Sequence, residues 1–262
     1  MSELFSAGKC LYCNQEVKKA AITKHLDKHL AEKTGTGKAG KSFLIKIEPD
    51  TTWGATPYFL QLWIDGETNM KEVDLFLRQI WLECCGHMSA FRNPKLRNNG
   101  GGMWDFFEAE NLIAKGKTKE YEKLMEESNG EVPKSRKAKD ALHKDLKLEY
   151  EYDFGSTTVL QITAAAEYSI RADNKIVLLS RNEPPEILCE TCGVKPAVKI
   201  CSVCMGQDES AFCNECAKKH RKTCSDFKEY AAMPVVNSHR MGVCAYEGGT
   251  IDTKRDGVFV KK

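Results

Sequence analysis

The period of the hydrophobic positions changes along the chain, and each change marks an element. "SFLIKIE", starting at Ser42, alternates and is rich in β-branched residues, so it predicts a strand. "PYFLQLWID" from Pro57 predicts a second, more uniformly apolar strand, and "HMSAFRN" from His87 a weaker third. Between them, "TNMKEVDLFLRQIWLECCG" switches to helical spacing through Met70, Val73, Leu77, Ile80 and Trp81. Asn69 offers an N-cap and Gly86 a stop. "LKLEYEYDFGSTTVLQITAAAEYSI" reads as a hairpin turning at Phe154, Gly155 and Ser156, and "KIVLLSR" as a last strand ended by Pro184 and Pro185. From 87 to 146 the pattern lapses into polar sequence with "NNGGG" and a run rich in Lys and Glu. That composition predicts a mobile insertion at about 93–146 with one or two solvated helices. The sum is an α+β domain, an antiparallel sheet with a packed helix. Trp53, Trp63 and Trp81 are expected in its core, as are Cys84 and Cys85 at the end of the apolar helix.

Composition adds one surprise. The 262 residues are 42% hydrophobic and 29% charged with net charge +2, which suits a globular chain and supplies no global field for nucleic acid. No segment has the length of a membrane span, and the N-terminus lacks the apolar stretch of a signal peptide, so the expected compartment is the cytoplasm. The surprise is twelve cysteines. In a reducing compartment they point to metal or redox chemistry rather than disulfides.

Most of them come as C-x-x-C pairs at the two ends. "CLYCNQEVKKAAITKHLDKH" reads C-x2-C-x11-H-x3-H, with Cys10, Cys13, His25 and His29 as ligands. The two histidines are four apart, hence on one helix face, and the C-x-x-C knuckle supplies two thiolates for a tetrahedral zinc. The segment resembles a two-cysteine, two-histidine zinc finger, one residue short between the second Cys and the first His. Lys18, Lys19, Lys24 and Lys28 crowd its helix and are candidates for phosphate contact. A single finger reads only about three base pairs, and a solvated lysine face is the plainer reading.

The C-terminal run reads C-x2-C-x8-C-x2-C-x8-C-x2-C-x3-H-x3-C. Its eight ligands are Cys189, Cys192, Cys201, Cys204, Cys213, Cys216, His220 and Cys224, the number for two closed tetrahedral zinc sites. The pattern resembles the two-zinc modules of the B-box, MYND and HIT-finger group. By that resemblance the pairs alternate: Cys189, Cys192, Cys213 and Cys216 on one metal, Cys201, Cys204, His220 and Cys224 on the other. Sequential pairing uses the same residues and stays open. Three zinc ions are therefore expected in all. With so few apolar residues, this segment depends on metal to fold.

The central segment also carries a resemblance. Its strand–strand–helix order, the His87 and Phe91 strand, and Tyr150, Tyr152, Asp153, Phe154 and Gly155 in the hairpin resemble the Ri-plasmid open-reading-frame-three-like domain. That family is also labelled an insertion-element passenger. Many members continue with Asp, Trp and His after the glycine, where this chain has Ser156 and Thr157. The resemblance implies a plasmid- or mobile-element-associated protein and no particular reaction.

The expected organisation is a finger at 1–33, a flexible linker at 34–42, the α+β domain at 43–185, a two-zinc module at 186–226 and an extended tail at 227–262. The linker contains "GTGKAGKS", residues 35–42, which fits the phosphate-loop pattern letter for letter. A helix precedes it and a strand follows, the reverse of what a phosphate cradle requires. The tail holds His239 and Cys244, too few ligands for a site of their own. The function expected is a zinc-binding, non-enzymatic interaction protein with a protein partner, nucleic acid being the other candidate; no membrane partner and no small-molecule substrate are read. The alternative is an enzyme, either a nucleotide hydrolase through residues 35–42 or a hydrolase using Asp153 and His87.

Overall fold

Seven strands pair into one antiparallel sheet, one of them from the polar insertion. The structure, a computed structural model, describes residues 6–51, 56–96 and 103–256, without the side chains of residues 103–106. Trp53 and the "NNGGG" run fall outside the described residues. A hairpin of β1 (Ala7–Lys9) and β2 (Glu16–Lys18) leads into helix α1 (Lys19–Lys33). The strands β3 (Ala39–Pro49), β4 (Leu60–Asp65), β5 (Ser89–Arg92), β6 (Glu131–Val132), β7 (Lys147–Tyr152), β8 (Thr158–Ile170) and β9 (Ile176–Arg181) then build the main sheet. Its order is β6-β5-β7-β8-β3-β4-β9. The α+β class read from the sequence holds.

Each face of the sheet buries a helix, where the periodicity predicted one covered face. Phe43, Ile45, Ile47, Leu60, Leu62 and Ile64 point to one side and pack against helix α2 (Met70–Leu77). Leu44, Phe59 and Trp63 point to the other, where Ile22, Leu26 and Leu30 of α1 cover them. Strand alternation alone sorts these residues. In β8 the pairing with β3 slips between Leu44 and Ile45, and this bulge reverses which side faces which helix. Leu160, Ile162 and Ala164 therefore join the α2 side, while Tyr168 and Ile170 join the α1 side. The finger helix is thus a layer of the main domain rather than a separate bead.

The segment expected as a linker is partly strand. Ala39, Gly40, Lys41 and Ser42 lie in β3. Ser42 is buried and accepts a hydrogen bond from Trp63 Nε1 at 2.9 Å, and Lys41 pairs with Glu167 at 3.0 Å. The groups a phosphate loop would need for Mg²⁺ and phosphate are committed to the sheet. Asp65, which ends β4, is likewise held by Arg171 at 2.6 Å.

Helix α2 opens as predicted, with Glu72 accepting from the Asn69 backbone N–H at 3.1 Å. It closes earlier than Gly86. From Arg78 to Leu82 the helix widens into a π-type turn, sealed by Glu83 N–H donating to the Arg78 carbonyl at 2.8 Å. The insertion contributes α3 (Met103–Ala114), α4 (Thr118–Asn129), β6 and the single turn α5 (Ala138–Ala141). Its second half is built into the domain rather than standing off it. β6 extends the sheet beside β5, and Met70 and Lys71 donate to the carbonyls of Arg136 and Lys134.

The C-terminal module has a small sheet of β10 (Lys199–Cys201), β11 (Ala211–Phe212) and β12 (Ala232–Pro234) in the order β11-β10-β12. Helices α6 (Asn214–Thr223) and α7 (Ser225–Glu229) complete it. The tail then returns to the main domain across the π-type turn. Ser238 Oγ donates to the Trp81 carbonyl at 2.7 Å, and Thr250 N–H to the Gln79 carbonyl at 2.7 Å. These are orphan carbonyls of a helix end, so the tail serves as its cap. Gly249 fits there because a Cβ at that position would come within 2.4 Å of the Ile80 carbonyl. Among the described residues, no helix is long and apolar enough to cross a membrane.

Candidate metal centres

Four groups of Cys and His converge, each with its four ligand atoms within 4.8 Å of one another. One is the N-terminal set read from the spacing, and two divide between them the eight C-terminal ligands. A tetrahedral zinc with sulfur at 2.3 Å and nitrogen at 2.0–2.1 Å places two sulfurs about 3.8 Å apart, sulfur and nitrogen about 3.5 Å, and two nitrogens about 3.3 Å. Those edges are the yardstick for each group.

In the first group Cys10 and Cys13 sit on the knuckle between β1 and β2, and His25 and His29 lie one turn apart on α1. Cys13 Sγ is 3.2 Å from His25 Nε2, and the two Nε2 atoms are 3.3 Å apart. Burial, then the neighbouring His29 and Lys28, hold the His25 imidazole below its ordinary pKa, which keeps it in the neutral, ligating form. Of the four lysines proposed for phosphate contact, Lys19 is taken: its ammonium donates to the Thr56 carbonyl at 2.7 Å and pairs with Glu48 at 3.2 Å. Lys18, Lys24 and Lys28 are exposed on the finger.

The C-terminal ligands pair alternately. Cys189 and Cys192 meet Cys213 and Cys216, while Cys201 and Cys204 meet His220 and Cys224. Helix α6 is the reason. Cys213 and Cys216 stand at its N-terminus and His220 and Cys224 at its far end, so one helix serves two sites. Cys204 Sγ lies 3.6 Å from His220 Nε2. The His220 ring stacks on Phe212 at 4.3 Å and meets Phe227 edge-on, which fixes its orientation.

The thiols of the C-terminal sets are displaced from their ordinary value in both directions. Burial pushes Cys189 up, yet backbone N–H groups of Cys213 and Cys192 aimed at its sulfur outweigh it and bring the thiol down to about 6. Burial and then the adjacent Cys201 push Cys204 up to about 12, and burial with Cys213 does the same to Cys216. Thiolates packed this closely repel one another, and a dication among them removes the conflict.

The fourth group was not read from the sequence. Cys84 and Cys85, expected as core packing, leave the end of the π-type turn toward His87, and Cys244 of the tail meets them. Cys85 and Cys244 are exposed and Cys84 is half-buried, so only Cys84 touches the core. Cys85 Sγ is 3.8 Å from Cys244 Sγ, and His87 Nε2 is 3.4 Å from Cys244 Sγ. His87 Nδ1 faces Asp153 Oδ1 at 3.6 Å, and the buried Arg240 donates to Asp153 Oδ2 at 2.6 Å. The pair weighed as a hydrolase site therefore stands beside a cysteine cluster, with the aspartate held by an arginine. No spacing rule reaches a ligand set that spans residues 84 to 244. His239, by contrast, rests edge-on against Tyr58 at 6.0 Å and belongs to none of the groups.

The four groups can hold metal ions. No protein-family model matches the chain, and no curated protein matches it. Among solved structures there is a weak likeness to a protein of unknown function from Methanosarcina mazei Go1. Its TM-score is 0.33 at 13% identity, over 52% of this chain and 66% of that one. A likeness this slight transfers neither fold nor function.

Proposed function

We propose that this chain is a zinc-binding, non-enzymatic interaction protein, in which zinc at the finger and at both C-terminal sites holds binding surfaces in place. The observation that carries the reading is the convergence of three ligand sets, each with four protein donors. Four donors complete a tetrahedral zinc and leave no position for water or substrate, which is the mark of a structural rather than a catalytic centre. The enzymatic alternatives have less behind them, since Lys41, Ser42 and Asp65 are bound into the sheet and Asp153 is bound to Arg240. The thiols must be reduced to bind metal, which agrees with a cytoplasmic setting. We retain the plasmid open-reading-frame-three-like character of the central domain as part of the proposal; it rests on the motif residues Tyr150, Tyr152 and Asp153.

The C-terminal module offers the surface for a partner. Between α6 and α7 lies a groove of about 370 Å³ whose lining includes Lys199, Lys218, Arg221, Lys228 and Tyr230, with Glu229 as its acidic residue. Tyr230 is 68% exposed. Cations around an exposed aromatic suit an acidic protein segment, and these residues come from separate stretches of sequence. The test is a titration of the full-length protein with an acidic peptide, and in parallel with single- and double-stranded oligonucleotides, over a series of salt concentrations. Peptide binding lost in Arg221→Glu supports the reading. Oligonucleotide binding that weakens steeply with salt, without peptide binding, transfers the proposal to nucleic acid. A purified protein without zinc overturns the whole of it.

A further inference from the structure

We propose that Cys84, Cys85, His87 and Cys244 form a fourth zinc site, which clamps the C-terminal tail onto the end of the π-type turn. The separations of 3.8 Å between Cys85 and Cys244 sulfurs and 3.4 Å between His87 Nε2 and Cys244 Sγ match the edges of a zinc tetrahedron. A disulfide would need its sulfurs at about 2.05 Å. Four donors drawn from the turn exit, the approach to β5 and the tail are the composition of a closed Cys3His site.

The surroundings are those of a metal ligand set. His87 turns its Nε2 to the cluster and its Nδ1 toward Asp153 Oδ1 at 3.6 Å, which places a carboxylate on the far side of the ring from the cluster, beyond direct hydrogen-bond distance. Arg240, fully buried, donates to Asp153 Oδ2 and lies 3.6 Å from Cys84 Sγ. Charge agrees with this placement. Three thiolates and one Zn²⁺ leave a net −1, and the Arg240 guanidinium lies beside it, shared between Cys84 and the Asp153 carboxylate. Two residues here also hold left-handed backbone without being glycine, Cys244 at φ 54 and Asp153 at φ 64. Such conformations persist where the surroundings over-determine them.

The clamp has a structural purpose. The chain leaves the main domain after β9, builds the two-zinc module, and returns through irregular backbone to Cys244. A metal at the return fixes both ends of the module, and so the direction in which its groove faces. Cys85 and Cys244 are exposed, so this site meets solvent chelators more directly than the Cys189, Cys192, Cys213 and Cys216 set, in which Cys192 alone is exposed.

The experiment counts metal on the full chain purified under reducing conditions, with protein and zinc quantified together. Wild type is expected to hold four zinc ions; Cys244→Ser and, separately, Cys85→Ser are each expected to hold one fewer. Hydrogen exchange of the tail around Cys244 is expected to rise in both variants while the module and finger are unchanged. Cobalt substitution checks the loss independently: the difference spectrum between wild type and Cys244→Ser should carry the bands of a tetrahedral, thiolate-rich centre. Variants that retain the wild-type zinc count overturn the proposal, whatever that count is. A wild-type count of three, unmoved by either substitution, removes the fourth site and leaves the three-site reading standing.

Discussion

Asp74 illustrates what a single residue contributes to this fold. It is a carboxylate 7% exposed on the inner side of α2, facing donors from β5, β7 and the loop after β6, with Arg78 Nε at 3.2 Å. Ser89 Oγ and Tyr150 OH donate to its Oδ1 at 2.5 and 2.8 Å, and Lys134 Nζ stands at 3.0 Å. Burial alone would raise its pKa; the Ser89 hydrogen bond, Lys134 and Tyr150 together outweigh burial and lower it. A carboxylate with a lowered folded pKa contributes stability above the ordinary carboxyl range and loses it as pH falls through the lowered value. Asp74→Asn should therefore cost about 1.5–3 kcal/mol at neutral pH, the range for hydrogen bonds to a charged group. The deficit relative to wild type should shrink as the solution is acidified. Urea unfolding of both proteins across a pH series measures this, because cysteine and histidine protonation is common to both and cancels in the difference. A deficit independent of pH would show that Asp74 acts by shape and not by charge.

At the scale of elements, α1 carries the least expected result. A two-cysteine, two-histidine finger is ordinarily a unit with its own small core, yet Ile22, Leu26 and Leu30 are completely buried against the sheet. The apolar face at i, i+4 and i+8 is too large for a finger alone and is explained by the second sheet face it covers. Leu26→Ala should thus cost about 2–5 kcal/mol, the usual price of emptying a buried leucine site. The loss should appear in the unfolding of the main sheet, read by thermal denaturation. A main-sheet transition unmoved by the substitution would restore the finger as an independent bead. The π-type turn is the other informative element. Its widened end releases carbonyls that Ser238 and Thr250 of the tail cap, and it brings Cys84, at the edge of the core, and the exposed Cys85 to the tail's Cys244. An unbroken α-helix to Gly86 would have turned that pair to other directions.

For the molecule as a whole, two kinds of stabilisation are segregated. The main sheet has apolar cores on both faces, built from Leu, Ile, Phe, Trp and Tyr. In the C-terminal module, half of one buried cluster is its own cysteines, with Phe212 and Phe227 as its large side chains, and the other is a small group of Ala197, Ile200, Ala211, Met233 and Val235. A core so small cannot offset chain entropy unaided, whereas structural zinc supplies roughly 10–16 kcal/mol per site. Strong chelation of the full-length protein should therefore abolish hydrogen-exchange protection in β10, β11 and α6 while β3, β4 and β8 keep theirs. Equal loss in both regions would mean that the sheet, too, depends on metal.

Much of this organisation is legible in the residues themselves, for a physical reason. Period-2 and period-3.6 patterns are local, so the strands β3, β4, β7, β8 and β9 and the start of α2 follow from neighbours in the chain. Ligands that share a knuckle or a helix turn are local as well, which is why Cys10, Cys13, His25 and His29 and the eight C-terminal ligands were readable. The phosphate-loop pattern at 35–42 was equally readable as a false lead, because helix before and strand after is a local order. Tertiary structure alone decided the rest. It alone chose alternate over sequential pairing at α6, laid α1 on the second sheet face, and drew the second half of the insertion into the sheet. Above all it carried Cys244 across the chain to Cys84, Cys85 and His87. Nothing in the spacing of those four residues encodes their meeting; it follows from the tail's capping of a helix end and from the buried contact between Arg240 and Asp153.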